Sequence, residues 1–254
     1  MLGAYPSAFH IVWTPPTPPR GAPASTIAAF PALAVDVEPE VFWDGSNPSP
    51  ATLLDDWLRD VGFKPAWGVA SVGTNGPSGK GLVSEYLDPL GIDMGTAWVT
   101  DAVPWYFVKM GAKSQGDSIK KRFNPIAERL RITAGDLPAR PNPRAFVEIA
   151  LETQRGRLRE ELVDVAAPLV ITLGQEAADT LVALVDRSSH PGTSDRLQPD
   201  DTYGLQGEVA IGGWSAVWLR LAHPGLIRQA KQVSPWRVSH DAWKSATREA
   251  RPPS

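Results

Sequence analysis

The sequence predicts an α/β fold of three layers, α/β/α, around a mostly parallel central sheet. Three observations carry that expectation. Short apolar runs alternate with longer stretches of helical period, the pattern of βα units that cover a parallel sheet on both faces. The 254 residues are 43% hydrophobic and 21% charged, an ordinary globular balance with enough apolar material for a full core. There is no internal repeat, and no apolar run approaches the roughly 18 residues of a membrane span. One domain over residues 1–254 is expected, with two long loops at about 14–30 and 185–208.

The elements are expected in the following order. Residues 9–13 and 32–37 read as short strands. The segment 51–61 follows Pro50 and places Leu53, Leu54, Trp57 and Leu58 at helical spacing. Residues 79–87 also read as helix. The run AWVTDAVPWYF at 97–107 reads as a buried strand leading into a loop at Pro104. Residues Pro143–Val165 form a long amphipathic helix, with Asn142 as its cap and Pro143 in the first turn. LVITL at Leu169–Leu173 is a buried strand, and Gly174 opens a helix over 175–185. Strands at 209–211 and 216–221 form a hairpin across Gly212-Gly213. A final helix covers 234–248, capped by Ser234 with Pro235 behind it. The Pro-rich stretch TPPTPPRGAPAST from Thr14 admits neither regular helix nor central strand.

Composition excludes several chemistries. The chain has no cysteine, which removes disulfides, zinc–thiolate sites and Cys-ligated iron–sulfur clusters. The N-terminal residues lack a basic region followed by an apolar core, so no secretory leader is expected and a cytoplasmic location is. The net charge is −3, unevenly spread. Residues 1–100 carry 4 Lys/Arg against 10 Asp/Glu, and residues 101–254 carry 21 against 18. Two basic stretches, 109–144 (with Lys120, Lys121 and Arg122) and 220–251, are either solvated helix faces or a surface that attracts phosphates.

On open α/β sheets, ligands bind where strands end and loops begin. Four such segments hold residues able to do chemistry: Gly3-Ala4-Tyr5-Pro6-Ser7; Thr100-Asp101-Ala102-Val103-Pro104-Trp105; Leu173-Gly174-Gln175-Glu176-Ala177-Ala178; and Ala222-His223-Pro224-Gly225-Leu226-Ile227-Arg228. Each alone is a common turn or strand end. Their order and spacing together are more specific.

The set resembles the uracil-DNA glycosylase superfamily over most of the chain outside the two long loops. Gly3 to Ser7 looks like that family's Gly-x-x-Pro loop. Asn75-Gly76-Pro77-Ser78-Gly79-Lys80, then Pro89-Leu90-Gly91-Ile92, looks like its Gly-rich helix start and following turn. Val99 to Pro104 is similar to its Thr-Asn-x-Val strand end. Residues 143–178 resemble its long helix, buried strand and Leu-Gly-x-x-Ala, and His223 to Ile227 its His-Pro-Ser-x-Leu loop. The resemblance implies hydrolysis of an N-glycosidic bond after a base is flipped from the stack. It implies DNA as partner, no cofactor, no metal, no membrane and a monomer.

It also implies roles. Asp101 reads the base edge or orients water. His223 donates to the departing base. Leu226 or Ile227 is the wedge, with Arg228 beside it. Gly3, Ala4, Pro6, Ser7, Phe9, Asn75, Ser78 and Gly79 line the substrate. Phe9, Trp13 and Trp67 are aromatics that either stack on the base or belong to the core. The chain departs from the family in three ways. Tyr5 and Ala4 leave the first loop without a carboxylate, and Tyr5 takes the catalytic position where the best-known members have Asp or Asn. Asp101 replaces the usual Asn. Gly3 also lies close to Met1, where the family has a whole strand, so the first strand is expected to be supplied differently or to start upstream. Two further readings stay open: a superfamily member that binds a base or nucleotide without cleaving it, and an α/β enzyme acting on a small nucleotide-like substrate.

Overall fold

The computed structural model describes residues 1–14, 33–73, 78–112, 114–124, 127–128, 137–190 and 196–250. Most of the expected Pro-rich loop, Asn75 and residues 191–195 lie outside them. The described strands are β1 (Leu2–Gly3), β2 (Ala8–Thr14), β3 (Leu33–Val37), β4 (Val69–Val72), β5 (Thr100–Asp101), β6 (Leu169–Leu173), β7 (Arg187–Ser189), β8 (Gln206–Ile211) and β9 (Trp214–Leu221). The helices are α1 (Pro50–Asp60), α2 (Ser78–Leu82), α3 (Asp88–Leu90), α4 (Gln115–Ser118), α5 (Pro143–Val165), α6 (Gln175–Leu184), α7 (Pro224–Gln229) and α8 (Pro235–Glu249). A π-helical turn, Val83–Leu87, joins α2 to α3. No helix among the described residues is long and apolar enough to cross a membrane.

The chain folds into two compact units. The first comprises Met1–Pro6, Ser78–Pro104 and Pro141–Ser254, and the second Ser7–Pro77 and Trp105–Arg140.

The first unit is an α/β structure on a six-stranded sheet of order β5-β1-β6-β9-β8-β7. The pairings β5–β1, β1–β6 and β6–β9 are parallel, while β9–β8 and β8–β7 are antiparallel. β6 is central because Val170, Ile171, Thr172 and Leu173 are all buried, so side chains on both faces leave water. Each such aliphatic side chain contributes about 1.5–3 kcal/mol. The helices fall into two sets by their contacts: α5 with α6, and α2 and α3 with α7 and α8. They flank the sheet as in a three-layer arrangement. α5 starts where the sequence places it. Asn142 Oδ1 accepts the Ala145 N–H at 2.9 Å and Pro143 fills the first turn. The hairpin of β8 and β9 turns at Gly212-Gly213 as expected, with Ile211 opposite Trp214.

Two expectations need correction. The strand expected from Ala97 to the loop at Pro104 is only Thr100–Asp101. Its ladder partner β1 is two residues long, and the register is Leu2 with Thr100 and Gly3 with Asp101. The apolar run is also divided, since Trp105 and Phe107 belong to the second unit. The stretch 185–208, expected as loop, contains β7, which pairs with β8 at the sheet edge. An edge strand has only one ladder to make, and this one carries no apolar alternation to signal it.

The second unit has a three-stranded antiparallel sheet, β3-β2-β4. β2 alternates buried Phe9, Ile11 and Trp13 with less buried residues between them. Phe9 and Ile11 pack with Trp43 and with Leu53, Leu54 and Trp57, three of the four α1 residues expected on one helix face. Trp13 packs with Phe123, Phe63 and Trp67.

Candidate functional site

The parallel part of the sheet brings Gly3–Pro6, Thr100–Pro104 and the whole of the third and fourth segments together at one end. β1, β5, β6 and β9 run in the same direction, so Gly3, Asp101, Leu173 and Leu221 all mark carboxyl ends. The chain leaves β1 for β5 on one side, and leaves β6 for β9 on the other. That reversal between neighbours β1 and β6 is a topological switch point, where open α/β sheets form a crevice. At an inter-strand spacing of about 4.8 Å the ends of β5 and β9, with β1 and β6 between them, stand roughly 14 Å apart.

The loops are held to each other by backbone bonds. Ala102 N–H donates to Gly3 O at 3.0 Å and Val103 N–H to Ala4 O at 3.2 Å, so the first and second segments run side by side. Gly174 N–H donates to Leu221 O at 2.8 Å, tying the third segment to the fourth. Gly174 has φ +95°, and a Cβ there would sit 3.5 Å from the His223 Cβ. The Leu-Gly step therefore turns a strand into a helix in a conformation that favours glycine.

The individual side chains divide as follows. Asp101 is 4% exposed, and its carbonyl accepts Arg157 Nη2 at 2.8 Å while Nη1 donates to Thr100 Oγ1 at 3.0 Å. Arg157, on α5, braces the end of β5 and was not anticipated. Tyr5 is half-buried, its ring 5.9 Å from that of Phe146. Gly3, Ala4 and Pro6 are buried. Ser78 and Gly79 open α2. Ser7 and Phe9 belong to the second unit, where Phe9 takes the core role beside Trp43 at 6.0 Å; Trp13 is likewise a core residue. Of the two wedge candidates, Leu226 is 42% exposed and Ile227 is 0% exposed. Ile227 is thus corrected to a core side chain, its place on α7 turning it inward, and Arg228 lies against Gly81.

His223 caps α7. Its Nδ1 accepts the Gly225 N–H at 3.0 Å. An acceptor at Nδ1 puts the proton of the neutral ring on Nε2.

Behind His223 lies a polar network that the sequence reading missed. Ala222 is the first residue past the β9 ladder. Its C=O accepts the Tyr86 hydroxyl at 2.6 Å, and its N–H donates to the Tyr203 oxygen at 3.1 Å. Tyr203 OH is 2.8 Å from Nδ1 of His240, which is 0% exposed. His240 Nε2 faces Glu85 Oε2 at 3.4 Å, and Glu85 also takes Lys244 Nζ at 2.7 Å and stands 3.6 Å from Arg237 Nη1. A signal did exist: Arg237, His240 and Lys244 fall at i, i+3 and i+7 and so share one face of α8. Burial pushes the His240 ring down to about 4 and both tyrosines up. Burial also works to raise Glu85, but Lys244, Arg237 and His240 together hold it below the ordinary carboxylate value.

This network uses part of the second basic stretch. Arg237 and Lys244 face Glu85, and Arg220 is buried. Arg228, Lys231 and Arg248 remain exposed. In the first stretch Lys109, Lys120, Lys121 and Arg140 are exposed, with Lys121 paired to Asp117. A smaller unanticipated chain crosses the second unit, from Tyr106 OH to Gln115 Oε1 at 2.7 Å and from Gln115 Nε2 to His10 Nε2 at 2.7 Å. Among the described residues no group of three or more His, Asp or Glu could hold a metal ion.

No protein-family model matches the chain, and no curated protein matches its sequence.

Proposed function

We propose that this chain is a divergent DNA N-glycosylase of the uracil-DNA glycosylase type, which flips a modified or deaminated base and hydrolyses its N-glycosidic bond. The observation that carries the reading is positional. Residues scattered from Gly3 to His223 meet the carboxyl ends of four contiguous parallel strands, β5, β1, β6 and β9, around a switch point. Three-layer folding of that family's kind is part of the same proposal.

The chemistry follows from the side chains. The bond from C1′ to the base nitrogen breaks with its electron pair on the base. Water supplies hydroxyl to C1′, and its proton leaves to solvent or to the departed base. Negative charge grows on the base carbonyl, where the Nε2–H of neutral His223 is the donor. α6 opens at Gly174 without a side-chain cap, so its amino end adds partial positive charge at the same sheet end. Leu226, exposed on α7, is the wedge. Exposed Arg228 and Lys231, at and just after the end of α7, contact phosphates.

A second reading has one observation in its favour. Tyr5 stands in the first loop where the family has a carboxylate, and it packs on Phe146, which suits a module that binds a base without cleaving it. Incubation with single- and double-stranded oligonucleotides, each carrying one modified or deaminated base, separates the two. Free base from at least one of them is expected. Binding without release supports the module, with affinity falling at a log–log salt slope of about −0.7 per phosphate contact on single strands. Neither release nor salt-sensitive binding sinks both and leaves a small-molecule enzyme.

Asp101 gives a sharper expectation. Asn pairs with both O4 and N3–H of uracil, whereas an ionised Asp only accepts. A mismatched buried polar pair costs about 1–3 kcal/mol, so the protein is expected to work poorly on plain uracil and to prefer a base presenting N–H donors. Asp101→Asn is expected to shift preference toward uracil by roughly 5- to 100-fold in kcat/KM. Efficient uracil release by the wild type at mildly alkaline pH, unimproved by Asp101→Asn, removes the base-reading role.

A further inference from the structure

We propose that Tyr86 and Tyr203 are positioning residues: by holding both peptide groups of Ala222 they fix the direction in which His223 presents its imidazole, with His240 and Glu85 setting the proton order behind them. The inference deepens the proposed function and rests on it for the meaning of that direction.

The argument starts from hydrogen-bond accounting. The β6–β9 ladder ends at Leu173 and Leu221. Beyond it, Ala222 is 1% exposed, so water does not serve its N–H and C=O. Buried backbone groups are almost always paired. Here two tyrosine hydroxyls do what the next strand residue does elsewhere, Tyr86 on the carbonyl and Tyr203 on the N–H. The carbonyl belongs to the same peptide plane as the His223 nitrogen. Holding its oxygen fixes the rotation of that plane, and hence where the His223 Cα–Cβ bond points.

The proton order then runs one way. Tyr203 oxygen accepts from Ala222 N–H, so its own proton goes to His240 Nδ1. If His240 carried a proton at Nδ1 instead, the Tyr203 proton would be left without an acceptor in a buried site, which buried donors rarely tolerate. With Nδ1 accepting, the His240 proton sits on Nε2, facing the Glu85 carboxylate. Glu85 is in turn held by Lys244 and Arg237 on α8. Burial keeps both phenols un-ionised, so the two hydroxyl protons remain available for this order. From His240 to Ala222 the donors and acceptors therefore follow one order, which suits a backbone that must not turn; at the other ring nitrogen Nε2 makes no hydrogen bond, and the 3.4 Å approach of Glu85 is an electrostatic contact. Tyr203 is seated by a close approach: Gly204 has φ +73°, and a Cβ there would lie 2.2 Å from Trp243 Cδ1.

Tyr203→Phe and Tyr86→Phe test the inference on the full-length protein. Both remove one hydroxyl and keep the ring, and Tyr86→Phe breaks only the carbonyl arm should Tyr203→Phe fold poorly. Two readouts are taken: base release resolved into kcat and KM, and the side-chain nitrogen resonances of His223 with the exchange rate of the Gly225 amide. The expected result is a fall in kcat of about 10- to 100-fold with KM nearly unchanged, faster Gly225 exchange, and mixing of the His223 tautomers. A purely structural role lowers the melting temperature without moving the His223 resonances. Folded variants in which those resonances and the Gly225 exchange stay at wild-type values overturn the positioning role, whatever the activity. A wild type that releases no base overturns the proposed function instead, and the magnetic-resonance arm then decides the positioning role alone.

Discussion

His223→Ala is expected to lower base release about 10²- to 10³-fold, the usual loss when one preorganised donor to developing negative charge is removed. The kinetic form of the loss matters as much as its size. A donor that strengthens as charge builds on the base acts in the transition state, so kcat should fall with KM nearly constant. His223 also caps α7 through Nδ1, and losing a cap costs about 1 kcal/mol of stability. His223→Asp separates the two roles. Aspartate can still cap the helix, but it offers no donor and brings negative charge toward the leaving group. Its stability should lie nearer the wild type than that of His223→Ala, and its activity should be no higher. Single-turnover release on the best oligonucleotide, with a thermal melt of each variant, reads both. Release by His223→Ala within a few-fold of wild type removes His223 from the chemistry.

The sequence was most legible where local rules act alone. Asn142-Pro143 opens α5, Gly174 ends β6, and Gly212-Gly213 turns the β8–β9 hairpin, because caps and turns depend on a few adjacent residues. The carboxyl ends were legible for the same reason, since glycine or proline follows β6 and β9 closely. The run at 97–107 was misread because apolar content alone cannot tell a ladder residue from a core residue, and β1 offers only two ladder positions. The division into two units was hidden because each is discontinuous in sequence. The network behind His223 was hidden for a different reason. Tyr86, Tyr203 and His240 are far apart in the chain, and two of their bonds end on the backbone of Ala222. Backbone partners leave no mark on residue type, and Ala222 itself carries no signal at all.

That network should also govern acid stability. His240 has its folded-state value lowered to about 4 by burial, against an unfolded value of 6.5. Between those values the unfolded chain binds the proton and the folded chain does not, so stability rises with pH across the window. The contribution is full above about pH 6.5 and falls as pH drops toward about 4, then levels off. Over the whole window it amounts to about 3 kcal/mol. Glu85 adds in the same direction at the lower end, because its folded value is depressed and protonation weakens its hold on Lys244 and Arg237. His10 and His190 are lowered by burial too, so some acid sensitivity must survive any change at His240. The measurement is urea unfolding at about pH 7 and about pH 4.5 for the wild type and His240→Gln, compared at equal m-values. Glutamine keeps polar atoms near Tyr203 and Glu85 but does not titrate in this range. The variant is expected to start less stable at neutral pH and to lose about 2–3 kcal/mol less on acidification. Equal losses in the two proteins show that folding does not lower the His240 value, and a wild-type loss smaller than that of His240→Gln shows that the ring is already protonated in the folded state at neutral pH. The proton order running from Glu85 to Ala222 is then the reverse of the one described.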